Sequence, residues 1–384
     1  MIKVLSITNN FPPIIDGVGD YTYHLHNQLN NYCTHLIVCS NKPEIIEFVK
    51  YNSLDRFVYP IIERWNLKAT FRIIKLARHS KIDTIHLQYV NYSYQKYGLP
   101  FSLIYLPIAC KLLGIRFTIF FHEVSIRVTG YGFKSFILGI LQRFLAWILC
   151  SFSLKVFVNT NWSKSLLSPF KNKIVVLPIP SNFENEIEKS ILYKNINKEF
   201  RIVSFLNRCD LNLLKSISYL QKNKYSNIVL YLIGSSEFLF KKFIIDNIDS
   251  LNLRNVVFIY ESTQAQDISD VLVNSSIYIQ IEKLTNNFEG GVSTKSGAVM
   301  AAMQSALPII SIQGDMTDLT YFKNLDNILF IENNNISSIV CAINTILFNY
   351  EIFKFLGKNA RNLYFRTNCF ALHSTKMLET FNTI

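Results

Sequence analysis

Two series of short apolar runs alternate with amphipathic stretches along the chain, and a proline-marked polar break separates the series. Lys3–Thr8, Leu36–Cys39, Thr84–Gln88, Arg116–Phe121, Lys155–Val158 and Ile174–Leu177 read as buried strands, with helical patterns such as Asp20–Asn30 and Trp65–His79 between them. Pro178 and Pro180 then lead into the polar stretch 181–199. A second series follows: Ile202–Leu206, Ile228–Ile233, Val256–Ile259, Ile277–Ile281, Pro308–Ile312 and Ile328–Ile331. Leu211–Lys222, Phe238–Leu251, Gln266–Asn274 and Ser296–Ser305 read as its helices, and Ile336–Phe381 as terminal helical material. Strand, helix, strand repeated in this way specifies a parallel doubly wound sheet, because each crossover covers a face of the sheet. The expected fold class is α/β with two Rossmann-like domains: 1–180, a linker over 181–199, 200–350, and C-terminal helices over 351–384 that cross back to the first domain. A length of 384 residues suits two cores of that size.

Composition narrows the partners. Hydrophobic residues at 49% against 17% charged exclude a disordered chain. The formal net charge of +12 favours anionic partners. No Lys/Arg run is long enough for a nucleic-acid arm, so phosphorylated ligands or an anionic membrane face fit better; a solvated basic surface is the plain alternative. Seven scattered cysteines, without a Cys-x-x-Cys pair, read as reduced core thiols of a cytosolic protein. The start, MIKVLSITNNFPP, runs directly into a strand pattern without a secretory leader, and no window of about 18 uninterrupted apolar residues predicts a membrane-crossing helix. The expectation is a cytoplasmic protein able to sit peripherally on the inner face of the plasma membrane.

In open α/β sheets, ligands bind beyond the carboxyl ends of strands, so polar residues following strands carry the functional reading. After the first strand, Gly17-Val18-Gly19 permits close backbone approach, with Asp20 as a helix cap and free amides for a phosphate or sugar hydroxyl; a simple turn is the alternative. His122-Glu123 closes a strongly apolar strand, where His122 could hydrogen-bond a sugar or transfer a proton, or be a satisfied core histidine. His86 alternates inside its strand and reads as structural. Glu289-Gly290-Gly291-Val292-Ser293-Thr294-Lys295-Ser296-Gly297 enters a small-residue helix: a diphosphate cradle of backbone donors, two serine hydroxyls and Lys295, or a capped flexible loop. Arg208, with Lys215 in the following helix, could neutralise a departing diphosphate or be a surface cation. Phe133–Phe152, with Pro100–Leu113, is apolar enough to dip into a bilayer surface or to serve as a core helix.

Phe11-Pro12-Pro13, Asp16-Gly17-Val18-Gly19-Asp20-Tyr21-Thr22, Ile85-His86-Leu87-Gln88-Tyr89, Phe121-His122-Glu123 and Gly291-Val292-Ser293 through Ala302-Met303 and Leu307-Pro308-Ile309-Ile310 together resemble the family 4 (group 1) glycosyltransferases. Where that family carries two glutamates separated by seven residues, this sequence has Ser293 and Ala301, with Glu289 the nearest carboxylate. Its Gly-Val-Ser-Thr-Lys-Ser-Gly run is similar to a subgroup with Gly-Val-Ser and basic residues there. The resemblance implies a GT-B fold, two facing Rossmann-like domains with an interdomain cleft. It implies a retaining transfer of a sugar from a nucleotide-diphosphate donor to a glycan or polyprenyl-linked acceptor, in surface polysaccharide assembly such as capsule or O-antigen. By the same resemblance His122 touches the donor sugar, Gly17–Gly19 lie beside the diphosphate, Arg208 and Lys215 stabilise it, and Ser296 and Gly297 cap it. No cofactor or metal is implied, and no nucleic acid. A nucleotide-sugar epimerase of the same fold and a non-catalytic GT-B-like binding protein are the rival readings.

Overall fold

Each apolar series builds its own parallel sheet. The structure, a computed structural model, describes residues 1–128, 132–191, 199–223, 227–262, 264–281, 284 and 289–383. It divides into two compact units, Met1–Pro178 with Phe370–Ile384, and Ile179–Cys369.

The first unit carries β1 (Lys3–Ile7), β2 (Thr34–Ser40), β3 (Val58–Ile62), β4 (Thr84–Tyr89), β5 (Arg116–Phe121), β6 (Lys155–Val158) and β7 (Ile174–Val176), in the order β3-β2-β1-β4-β5-β6-β7. The order reverses between β1 and β4, so the loops leaving their carboxyl ends turn to opposite faces and open a crevice. Strand β3 is absent from the sequence reading because Pro60 interrupts its apolar run. A proline lacks the N–H for the ladder, and here it lies in an edge strand beside a register shift at Cys39/Ser40.

The second unit carries β8 (Phe200–Phe205), β9 (Ile228–Ile233), β10 (Val257–Tyr260), β11 (Ile277–Gln280), β12 (Ile309–Ile312) and β13 (Leu329–Ile331), in the order β10-β9-β8-β11-β12-β13. Its reversal lies between β8 and β11, the strands that lead to Arg208 and to the glycine-rich loop. The stretch 181–199 differs from the expected linker: helix Glu184–Ile191 belongs to the second unit and packs on helix Ala265–Val273. Ile187 is its buried anchor, Gln304 Nε2 donates to the Glu184 carbonyl at 2.8 Å, and Arg361 forks onto the Glu188 carboxylate. Few apolar residues spaced among many charges read as linker in sequence, yet the helix is held by Ile187 together with these polar contacts.

The terminal helical material breaks into Ile336–Leu347, Tyr350–Thr367 and Phe370–Thr383. The last is part of the first unit and packs along helix Gly17–Leu29. There the His373 Nε2–H donates to the Pro178 carbonyl at 2.6 Å, which leaves Nδ1 to accept from the Tyr21 hydroxyl at 3.2 Å. Six of the seven cysteines are buried free thiols, and Cys341 is exposed.

Among the described residues, helix Gly132–Phe152 is long and apolar enough by length and composition to cross a membrane, unlike the sequence expectation. Its Lys134 and Arg143 break the uninterrupted run that the sequence criterion required. Its inner stripe, Leu145, Ala146, Leu149 and Cys150, is buried in the core of the first unit.

Candidate functional site

The loop after β1 enters helix Gly17–Leu29 at the reversal point of the first sheet. The helix cap is Asp16, not Asp20: its carboxylate accepts from Val18 N at 2.9 Å and Gly19 N at 3.5 Å, and Asn10 Nδ2 donates to its other oxygen at 2.6 Å. The expected cradle of free amides is therefore corrected, since two of them already face a carboxylate. Gly19 is closely approached by backbone. A Cβ there would lie 3.0 Å from the Asn10 carbonyl oxygen, whereas a Cβ on Gly17 meets nothing within 4 Å. Asp20 sits in the first turn, where burial and the neighbouring Asp16 raise its carboxyl pKa to about 7. A carboxyl whose folded pKa exceeds the unfolded value costs stability as pH rises from about 4 to about 7. Asp20→Asn is accordingly expected to raise the melting temperature at pH 8 by several degrees, about 1–2 kcal/mol, with the gain vanishing near pH 4; an equal gain at both pH values, by calorimetry, would contradict the assignment.

His122 follows β5 and lies against the same helix. Its ring stacks on Phe120 at 4.4 Å and meets Tyr21 edge-on at 5.1 Å. Its Nε2–H donates to Gln88 Oε1 at 2.8 Å, and its carbonyl accepts from Asn159 Nδ2 at 2.9 Å. Burial, aided by nearby His86 and His373, lowers its pKa to about 3. The ring is neutral, with its one proton on Nε2, so it offers Nδ1 as an acceptor and takes up no second proton near neutrality. Glu123, next in sequence, is exposed. His86, read as structural, is buried with Nδ1 2.9 Å from Thr118 Oγ1.

In the second unit, Gly290 and Gly291 take positive φ and cross directly over Gly314. A Cβ on either Gly291 or Gly314 would fall inside the opposing backbone. Three further bonds fix the crossing: Gly290 N to Asp315 Oδ1 at 2.8 Å, Met316 N to the Gly290 carbonyl at 3.0 Å, and Val292 N to the Ile312 carbonyl at 3.1 Å. The loop then turns through buried Ser293 and exposed Lys295 to Ser296, which caps helix Gly297–Gln304 through Val299 N at 3.4 Å. Ser296 Oγ also lies 3.4 Å from buried Gln280 Nε2, whose amide is oriented by the Tyr278 hydroxyl at 2.6 Å. Glycine crossing, serine cap, adjacent lysine and positive helix end thus occupy one short segment beyond β11, an arrangement suited to a phosphorylated ligand. Glu289 stands half-buried at its entry.

Arg208 ends the single 3-10 turn Leu206–Arg208 after β8, and its side chain is exposed. Lys215 is exposed on the second turn of helix Leu211–Lys222, whose cap, Asp210, accepts from Leu213 N at 2.9 Å.

Residues 185–363 match the family model for glycosyl transferases group 1. Over just under half of its length the chain is thus similar to the group 1 glycosyl transferases. Its two-sheet architecture is the GT-B fold, shared with solved structures that it matches over nearly their whole lengths. HepE of Anabaena, solved with UDP, gives a TM-score of 0.73 at 12% identity, with 100% of both chains covered. The sucrose-phosphate synthase of Thermosynechococcus elongatus gives 0.69 at 11%, covering 100% of this chain and 99% of that one. A UDP-N-acetylglucosamine 2-epimerase gives 0.60 at 12%, covering 98% and 95%. A curated relative, the 2-succinyl-5-enolpyruvyl-6-hydroxy-3-cyclohexene-1-carboxylate synthase of Staphylococcus haemolyticus, is 25% identical over 193 residues, 49% of this chain. The chain spans 31% of that relative's length.

The family match covers the glycine crossing, the serine cap and the Arg208 turn. Sequence reasoning overlooked Gln88, which orients His122, and Gly314-Asp315, which locks the crossing. The second had a signal, a Gly-Asp pair directly after an apolar strand; the first lies inside an all-buried strand and had none. Among the described residues, no group of three or more His, Cys, Asp or Glu could hold a metal ion.

Proposed function

We propose that the protein transfers a hexosyl unit from a nucleoside-diphosphate sugar, with retained configuration, to a glycan or polyprenyl-linked acceptor at the inner membrane face. Capsule or O-antigen assembly is the pathway that fits. The observation carrying this reading is the segment beyond β11, where the Gly290–Gly291 crossing leads into the Ser296-capped helix within the family-matched region. Its backbone donors and helix dipole would hold the diphosphate. Arg208 and Lys215 would offset the charge growing on it as the sugar leaves, which makes a metal unnecessary. Neutral His122 would accept a hydrogen bond from a sugar hydroxyl through Nδ1. A nucleotide-sugar donor is further supported by HepE, which is solved with UDP.

The test is nucleoside diphosphate release from a panel of nucleotide sugars, with and without membrane extract. Acceptor-dependent release supports transfer. A changed sugar without release would instead support epimerisation, and binding without turnover an inert protein. Arg208→Ala is the cleaner variant because the side chain is exposed, whereas His122→Ala also removes a packed ring. Loss of Arg208 is expected to lower kcat/KM by roughly 30- to 1000-fold, about 2–4 kcal/mol, with the melting temperature unchanged. An unchanged rate would remove Arg208 from the site.

A further inference from the structure

Three neighbouring helices of the first unit, Leu67–His79, Tyr105–Leu112 and Gly132–Phe152, pack side by side. A helix with one face in a core normally turns a polar face to water. Helix Gly132–Phe152 does not. Opposite its buried stripe, Phe133, Ile137, Ile140, Phe144 and Trp147 recur at three- and four-residue spacing and are 76%, 41%, 46%, 56% and 41% exposed. Between the other two helices runs a groove of about 730 Å³ walled by Phe71, Ile74, Tyr105, Ile108 and Leu112. Phe71 and Leu112 stand 76% and 81% exposed at its lips. An apolar surface of this extent marks an interaction site.

The charges on the same helices select the partner. Together the three carry seven Lys or Arg and no Asp or Glu. Lys75 and Arg78 line the groove itself. Arg72 is paired with Glu63 at 2.9 Å, and the other six cations lie on helices without a carboxylate of their own; an apolar stripe with such a cationic border matches the boundary of an anionic bilayer, where hydrocarbon lies beneath negative headgroups. We infer that this face docks on anionic phospholipid, with the stripe of helix Gly132–Phe152 entering the headgroup boundary and the groove taking one hydrocarbon chain. The inference deepens the reading of a membrane-borne acceptor and rests on it for its purpose only.

The test uses the full chain in co-sedimentation with phosphatidylcholine vesicles, with and without phosphatidylglycerol. Binding is expected to the anionic vesicles and to fall as salt is raised. Phe71→Ser with Leu112→Ser, and separately Phe133→Ser with Phe144→Ser, should each weaken it roughly tenfold or more. Lys75→Ser with Arg78→Ser should remove the preference for phosphatidylglycerol. All six side chains are exposed or line the groove, so melting temperature and donor-dependent nucleotide release without vesicles should stay at the wild-type level. Because vesicle binding needs no sugar donor, its failure leaves the transfer reading standing, and failed transfer leaves docking standing. Wild-type protein remaining in the supernatant with both vesicles, or apolar variants that bind like wild type, would overturn the inference. So would a wild-type dimer that these variants convert to monomer, which would assign the face to a second copy.

Discussion

Acidification from pH 7 to about pH 5 is expected to unfold the protein. Five of the seven histidines are buried: His26, His35, His86, His122 and His373. Burial is the largest cause of a lowered pKa in each. It brings His26 and His373 to about 4, His86 and His122 to about 3, and His35 well below the usual range. In the unfolded chain each titrates near 6.5, so below that pH the unfolded state binds protons that the folded state refuses. Stability therefore falls as pH drops from about 6.5 to about 4. Each such histidine contributes about 1.4 kcal/mol per pH unit. Several acting together rival the roughly 5–15 kcal/mol of a whole domain. The contacts make protonation in place harder. His26 Nδ1 lies 3.1 Å from His35 Nδ1, so one of the two must stay unprotonated, and His35 Nε2 is held by Ser6 Oγ at 2.7 Å. Asp20 opposes the trend, but it is one group against five. Far-ultraviolet circular dichroism across pH should show a steep transition with its midpoint at about pH 5–6. A midpoint below about pH 4 would mean that these rings take protons inside the folded chain.

The alternating apolar runs made both sheets legible, because parallel strands buried on two faces are near-continuous apolar runs. Strands Lys155–Val158 and Ile228–Ile233 agree with the sequence reading residue for residue. What escaped was local chemistry that apolar periodicity does not register: the edge strand interrupted by Pro60 and the sparsely apolar helix around Ile187. The capping error at the first helix has the same origin. Asp16 and Asp20 are both competent caps in sequence, and the choice is made by Asn10, which reaches back to the Asp16 carboxylate. Candidate residues were legible by type and position, since His122, Arg208 and Ser296 all follow strands as the fold rule requires. Their states were not. The neutrality of His122 depends on burial beneath Tyr21 and Phe120 and its tautomer on Gln88, which only tertiary packing supplies.

Gly314→Ala is expected to abolish nucleotide binding while Gly297→Ala preserves it. Both glycines lie beside the proposed diphosphate segment, yet their surroundings differ. A Cβ on Gly314 falls on the carbonyl of Gly290 and near Gly291 N at 2.7 Å, all backbone atoms that cannot rotate away. The loop must then separate from β12, which breaks the bonds from Met316 N and from Gly290 N to Asp315. Gly291→Ala meets the same backbone and adds the strain of a φ of +81°. At Gly297 the nearest atom is Ile179 Cδ1 at 3.9 Å, an ordinary contact, and alanine suits a first helical turn. If the crossing presents the donors that hold a diphosphate, displacing it should weaken UDP binding by at least about a hundredfold, roughly 3 kcal/mol, in Gly314→Ala and Gly291→Ala alike. Gly297→Ala should stay within a few-fold of wild type. Titration calorimetry with UDP measures all three. Wild-type affinity in Gly314→Ala would separate the crossing from the ligand, because no small adjustment reconciles an added methyl with backbone on the far side.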